Sequence, residues 1–247
     1  MAGSASSAQD QTVLQVENLH AYYGQSHILH GVSLQVHSGE VVALLGRNGV
    51  GKTTTLRAIA GLIPQVRGHI KLAERELTHL PAYQIARQGV VYVPSGRRSF
   101  AQLTVRECLQ VAVEGRGHRK KKDASEAFDR VFEIFPALKE RLHVAAGVLS
   151  GGQNQMLKMA CAFLANPIIL LLDEPTEGLA PLVVKELHNR IAALAQTGVG
   201  ILLAEQNSKF AFSLSERAYI LNKGAVQLSG DVTDLSDSEE ALLYLGV

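Results

Sequence analysis

Apolar and polar residues alternate in one way near the start of this chain and cluster in another way further on. From Val13 to His20, the apolar Leu14, Val16 and Leu19 interleave with Gln15, Glu17 and His20. Val32, Leu34 and Val36 alternate again before the Ser38-Gly39-Glu40 turn. A period of two marks strands with one buried face, so this region is expected to pair antiparallel. Val41–Leu45, Val90–Val93, Ile168–Leu172 and Gly200–Ala204 are instead short runs, apolar at nearly every position, each followed by a polar, loop-like segment. Such runs suit strands covered on both faces, as in a parallel sheet flanked by helices.

Between the second and third of these runs, from about Ser95 to Pro167, there is no strand pattern. Thr104 is expected to cap a helix over Val105–Val113, and Asp123 to open one over Ala124–Phe135. Gln153–Ala165 carries apolar residues at helical spacing in Met156, Leu157, Ala160, Phe163 and Leu164. The pattern predicts an α/β fold with three parts: a parallel-sheet core, an antiparallel β subdomain at the N-terminus, and an inserted α-helical subdomain at about 95–167. Residues 1–12 read as a disordered tail and 13–247 as the folded unit. The basic run Arg116-Gly117-His118-Arg119-Lys120-Lys121-Lys122 sits at a helix junction and reads as a solvated loop.

Composition narrows this picture. The 24 basic residues against 23 acidic ones leave a formal charge of +1, which gives no electrostatic reason to expect a nucleic-acid partner. No apolar run approaches the ~20 residues that span a bilayer, and the first residues have neither the basic nor the apolar region of a secretory signal. Two cysteines, Cys108 and Cys161, without paired spacing, point to reduced core thiols in a cytosolic protein.

The chemistry concentrates after the first apolar run. Gly46-Arg47-Asn48-Gly49-Val50-Gly51-Lys52-Thr53, with Thr54 next, lies between a predicted strand and a helix-compatible segment, Thr53–Ala60. Glycines let successive N–H groups turn into one concavity, and a following helix adds its positive N-terminus, so the stretch reads as a phosphate-binding loop of a P-loop NTPase core. Lys52 is expected to reach the β- and γ-phosphates, Thr53 to hold Mg²⁺, and Thr54 to contact the α-phosphate. Asp173 and Glu174 follow the third run, where ligand sites of parallel sheets lie. Asp173 is expected to complete the Mg²⁺ site through water opposite Thr53, and Glu174 to polarise the attacking water. Leu149-Ser150-Gly151-Gly152-Gln153 opens a helix, so Ser150, Gly151 and Gly152 form a second phosphate-binding terminus. One nucleotide does not easily fill both, which implies that two copies pack head to tail, each serving the other's loop.

These stretches, in this order, resemble the nucleotide-binding subunits of ATP-binding-cassette (ABC) transporters from Val13 to Val247. Within the family the chain looks most like the smaller ATPase of branched-chain amino-acid importers, whose relatives serve other amino acids, urea and short amides. The supporting residues are Tyr22-Tyr23-Gly24, Val93-Pro94, Gly96-Arg97-Arg98, Leu103-Thr104-Val105, Leu172-Asp173-Glu174-Pro175, Glu177-Gly178-Leu179-Ala180-Pro181 and Glu205-Gln206-Asn207. The resemblance implies that Tyr23 stacks on adenine and that Gln206 donates a hydrogen bond to the γ-phosphate. It further implies ATP and Mg²⁺ as ligands, and a second cassette, identical or paralogous, as partner. Integral membrane permease subunits, and indirectly a solute-binding protein, complete the implied assembly, with the subunit peripheral on the inner face of the membrane.

Some positions depart from the family's pattern. Ser95 stands where Gln or Glu is usual; its hydroxyl is shorter by two carbons, so it reaches a metal only through a bridging water. Ala180 replaces a usual Asp, in keeping with the importer branch, and Cys161 replaces a common Arg. Two rival readings stay open at this point. One is an ATP-binding, dimerising regulatory module with weak turnover, motivated by Ser95. The other is a soluble cassette acting on nucleic acid or ribosomes, against which the near-neutral charge argues.

Overall fold

The computed structural model describes residues 11–96, 100–115 and 121–246. Arg97 and Arg98, the first five residues of the basic run and the first ten of the expected tail lie outside them.

The chain opens with β1 (Thr12–Tyr23) and β2 (Ser26–His37), then β3 (Val41–Leu45), α1 (Lys52–Ile59), β4 (Gln65–Leu72), β5 (Arg75–Glu76), α2 (Ala82–Gln88) and β6 (Val90–Val93). The inserted region follows as α3 (Val105–Glu114), α4 (Lys121–Ile134), α5 (Pro136–Lys139), a 3₁₀ turn at Ala146–Val148, and α6 (Gly151–Leu164). It returns through β7 (Ile169–Asp173), α7 (Pro181–Ala195), β8 (Gly200–Glu205), α8 (Ser208–Leu214), β9 (Arg217–Asn222) and β10 (Ala225–Asp231), and ends in α9 (Val232–Ser236) and α10 (Glu239–Leu245). Thr12 thus already belongs to a strand, one residue before the expected start. α4 begins at Lys121, so Asp123 lies within its first turn instead of capping it: lysine propagates a helix well and leaves no stop signal in the sequence.

A four-stranded sheet has the order β2-β1-β4-β5, and a six-stranded sheet the order β10-β9-β3-β8-β7-β6. The first is antiparallel throughout. In the second, β9, β3, β8, β7 and β6 run parallel, and β10 adds antiparallel at one edge. Alternation in β1 changes phase between Val16 and Leu19, both buried, because the register shifts there and Asn18 takes a left-handed φ of 49°.

The parallel strands are apolar on both faces for a visible reason. Ala43, Leu45, Leu170, Leu172, Ile201 and Leu203 face a core built with α3, α4, α6 and α7. Val42, Leu44, Ile169, Leu171, Leu202 and Ala204 face a second core with α1 and the antiparallel sheet. The inserted helices share the first core continuously with the sheet, through Val105, Leu109, Val131, Phe135, Leu157 and Ala160.

Candidate functional site

The register of the large sheet sets its carboxyl ends level. Leu45 pairs with Glu205, Asp173 with Ala204, and Val93 with Leu172. The residues that follow these strands therefore emerge along one edge, where ligand crevices of parallel sheets lie. Gly46 begins the glycine-rich loop there. A Cβ at this position would collide with the Leu221 carbonyl oxygen, and the residue's φ is 149°, so the strand can turn into the loop beneath β9 only as glycine. Arg47, Asn48 and Gly49 are exposed, while Gly51 precedes α1 in a left-handed conformation with no side-chain cap.

Lys52, 3% exposed, points back into the loop it follows. Its Nζ donates to the carbonyl oxygens of Gly46 at 2.8 Å and Arg47 at 3.2 Å, and lies 3.1 Å from Glu174 Oε1. Thr53 donates its hydroxyl to Asp173 Oδ1 at 2.9 Å, and Tyr92 donates to Asp173 Oδ2 at 2.8 Å. Asp173 is 2% exposed, and burial pushes its carboxyl above the usual range while the two hydroxyl donors pull it back. The Tyr92 hydroxyl is pushed up, first by burial and then by the carboxylate it serves. Glu174 takes a left-handed φ of 44°, unusual for a residue with a side chain, and its N–H donates to the Ala204 carbonyl at 2.9 Å. That turn aims its carboxylate at Lys52.

Glu205 ends β8, and the sequence alone assigns it no role. It is 2% exposed and accepts from the Thr176 hydroxyl at 2.7 Å, the Thr176 N–H at 3.1 Å and the Asn207 N–H at 3.4 Å. It thereby braces the loop that carries Glu174. Burial raises its carboxyl, against the pull of those donors, and the nearby Glu174 charge adds a smaller push upward. Tyr92 was legible only as a strand residue and Glu205 only as part of the Glu205-Gln206-Asn207 pattern, since neither hydroxyl reach nor loop bracing has a sequence spacing.

The remaining expected residues lie as follows. Thr54 is half-buried on α1. Tyr23 ends β1, 44% exposed, and Gln206 is exposed just past β8. Ser95 is half-buried in the bend after β6, and the neighbouring Gly96 carbonyl accepts from Lys158 Nζ of α6, whose ammonium burial makes less basic. Ser150 is the N-cap of α6: its hydroxyl accepts from Gln153 N–H at 3.3 Å, and Gln153 Oε1 accepts from Ser150 N–H at 3.1 Å. Gly152 is buried, and a Cβ there would meet Val183 Cγ1 at 2.5 Å, so it lets α6 approach α7. Cys108 is buried and Cys161 half-buried, its thiol pushed up to about 12 by burial.

Beside the edge strand runs an apolar groove lined by Leu62, Tyr83, Ala86, Tyr92 and Val111. It continues past Phe100, Cys108 and Cys161. Tyr83 and Phe100 are exposed aromatic side chains on it. No helix of the described residues is long and apolar enough to cross a membrane.

The chain is similar to known proteins along most of its length. The family model described as "ABC transporter" matches residues 29–177. The high-affinity branched-chain amino acid transport ATP-binding protein BraG of Pseudomonas aeruginosa is 41% identical over 87% of this chain and 91% of its own length. The lipopolysaccharide export system ATP-binding protein LptB of Haemophilus influenzae is 34% identical over 95% of this chain and 98% of its own. A solved structure described as the ATP binding subunit of an ABC transporter superposes with a TM-score of 0.83 at 30% identity, covering 96% of this chain and 100% of that one. The chain therefore belongs to the ABC transporter family, as one of its ATP-binding ATPase subunits.

Proposed function

We propose that this subunit hydrolyses MgATP between two cassettes and drives import of branched-chain or other amino acids through separate membrane permeases. The observation that carries the hydrolytic part is the meeting of Lys52, Thr53, Asp173 and Glu174 at one edge of the sheet. Hydroxyl and carboxylate oxygens are hard donors that suit Mg²⁺. Among the described residues no group of three His, Cys, Asp or Glu side chains could hold a metal by itself, which suits an ion held mostly by phosphate. Thr53 directly and Asp173 through water would hold it, and Ser95 would serve only through a further water. When bound, Mg²⁺ would neutralise charge on the β- and γ-phosphate oxygens.

The protein's own groups supply the rest. The N–H groups of Gly46–Thr54 cradle the phosphates, and Lys52 exchanges Glu174 for the γ-phosphate. Glu174, so released, orients the attacking water, and Gln206 donates to the γ-phosphate. Tyr23 offers its exposed face to adenine. Ser150 and Gly151 of a second cassette, identical or paralogous, close the site from the other side, with Gly152 packing that helix terminus in place. The groove with exposed Tyr83 and Phe100 suits an apolar segment of the permease, and this docking makes the subunit peripheral on the cytoplasmic face.

The import reading rests on the 41% identity to BraG. Lipopolysaccharide export is the second reading, favoured by the LptB match across 95% of the chain. Steady-state ATPase rates of the wild type against Glu174→Gln test the chemistry: the variant should lose turnover, and equal rates would remove Glu174 from its role. Uptake of labelled leucine in cells lacking this subunit tests the direction. Normal uptake with defective outer-membrane lipopolysaccharide would replace import by export.

A further inference from the structure

Tyr92 lies on β6, the edge strand of the large sheet, paired in register with Leu171 of β7. Its half-buried ring lines the apolar groove, while its hydroxyl reaches across the end of β7 to Asp173 Oδ2 at 2.8 Å. The other oxygen of the same carboxylate accepts from Thr53 at 2.9 Å. Asp173 is thus clamped between the phosphate-loop helix and the sheet edge, and at 2% exposure it has no solvent to replace either donor. Holding Oδ2 fixes which oxygen faces Thr53 and the angle at which it does so. A carboxylate free to rotate would present its lone pairs in many directions and bind an ion less well.

We propose that Tyr92 is a positioning residue for Asp173, orienting the carboxylate that serves Mg²⁺, and that it ties this carboxylate to the groove its ring lines. The proposal rests on the MgATP reading above. Its consequence is that whatever packs into the groove shares a side chain with the metal site. This route from groove to metal does not pass through Ser95, whose side chain is too short to provide one.

Tyr92→Phe removes the donor and leaves the ring in the groove. A fluorescent ATP analogue is titrated onto the full chain in EDTA and again in Mg²⁺, and the ratio of the two dissociation constants measures how much the metal tightens binding. The ratio should fall about 10- to 100-fold in Tyr92→Phe, the usual cost of losing a group that orients a metal ligand, while binding in EDTA stays at the wild-type value. In an Asp173→Ala background the same change should have no further effect on the ratio. An unchanged ratio in Tyr92→Phe would overturn the proposal. So would an equal loss in EDTA and in Mg²⁺, which marks a merely structural hydroxyl, or a loss that persists without Asp173. If Mg²⁺ fails to tighten binding to the wild type, the MgATP reading itself falls and the proposal with it.

Discussion

At Lys52 three oxygens, two from the loop's own carbonyls and one from Glu174, stand 2.8, 3.2 and 3.1 Å from a single buried ammonium. On the proposed role, a phosphate would displace the Glu174 carboxylate from this charge and leave the carbonyl contacts intact. Charge-assisted contacts are worth about 1.5–3 kcal/mol each, and one aromatic face about 0.5–1.5 kcal/mol. Lys52→Ala should therefore weaken ATP binding by at least about tenfold, and by more than Tyr23→Ala does, in a fluorescent-ATP titration. The opposite order would reverse the two roles. Ser95 carries a different expectation. Coupling energies between linked sites run at about 1–3 kcal/mol, so Ser95→Gln should raise the stimulation of ATPase by the assembled transporter roughly 5- to 150-fold with ATP affinity nearly unchanged. Equal stimulation in reconstituted complexes would mean that the serine already relays the signal through water.

Glu205 gives a pH signature of its own. Burial raises its carboxyl, so the folded chain holds this proton more tightly than the unfolded chain does. Between the ordinary glutamate value, about 4.3, and the raised one, the folded state binds more protons. The stability this group contributes is full below that window and is lost as pH rises through it. Glu205→Gln cannot titrate. Its stability relative to wild type, from denaturant midpoints, should therefore climb with pH across the window, by at most about 1.4 kcal/mol per pH unit. A flat difference would show that the carboxyl is not raised.

Among the elements, those with a strong local signal were legible in the sequence and those defined by partners were not. β3 and β6 coincide with their apolar runs, whereas β7 and β8 each run one residue further, to the buried Asp173 and Glu205, which the apolar pattern does not include. β4 is not legible locally because Gly68 interrupts the alternation of Val66, Ile70 and Leu72. That glycine sits against the Asn18 carbonyl at the bulge in β1, a tertiary reason invisible in local pattern. Thr104 was readable as a cap, and its capping box with Glu107 is present, with the Thr104 hydroxyl accepting from Glu107 N–H at 3.2 Å. Thr104→Ala should lower stability by about 1 kcal/mol, measured by urea unfolding, and an unchanged midpoint would mean that the bridge from Thr104 to Ala145 carries α3 instead. Within the site the motif residues were legible by spacing. The Lys52–Glu174 ion pair, the Tyr92 hydroxyl on Asp173 and the Lys158 contact to Gly96 were not, because each joins elements far apart in the chain.

On the scale of the whole molecule, one chain carries two helix termini proposed to bind phosphate, at Lys52 and at Ser150. The α6 terminus satisfies itself within its own capping box, Ser150 with Gln153, and both residues keep solvent-facing surface. Two copies placed head to tail would complete two sites at once, and on this proposal ATP would lie between them and hydrolysis would let them part. On the proposed roles, Glu174→Gln leaves Lys52 and Thr53 free to hold the nucleotide while removing the carboxylate proposed to orient water, so the closed pair should persist. The direct test is light scattering of Glu174→Gln with MgATP, alone and mixed with any cassette encoded beside it. A stable mass of two cassettes, dispersing when nucleotide is removed, is the predicted result. A variant that stays monomeric at saturating MgATP in both mixtures would contradict the shared site.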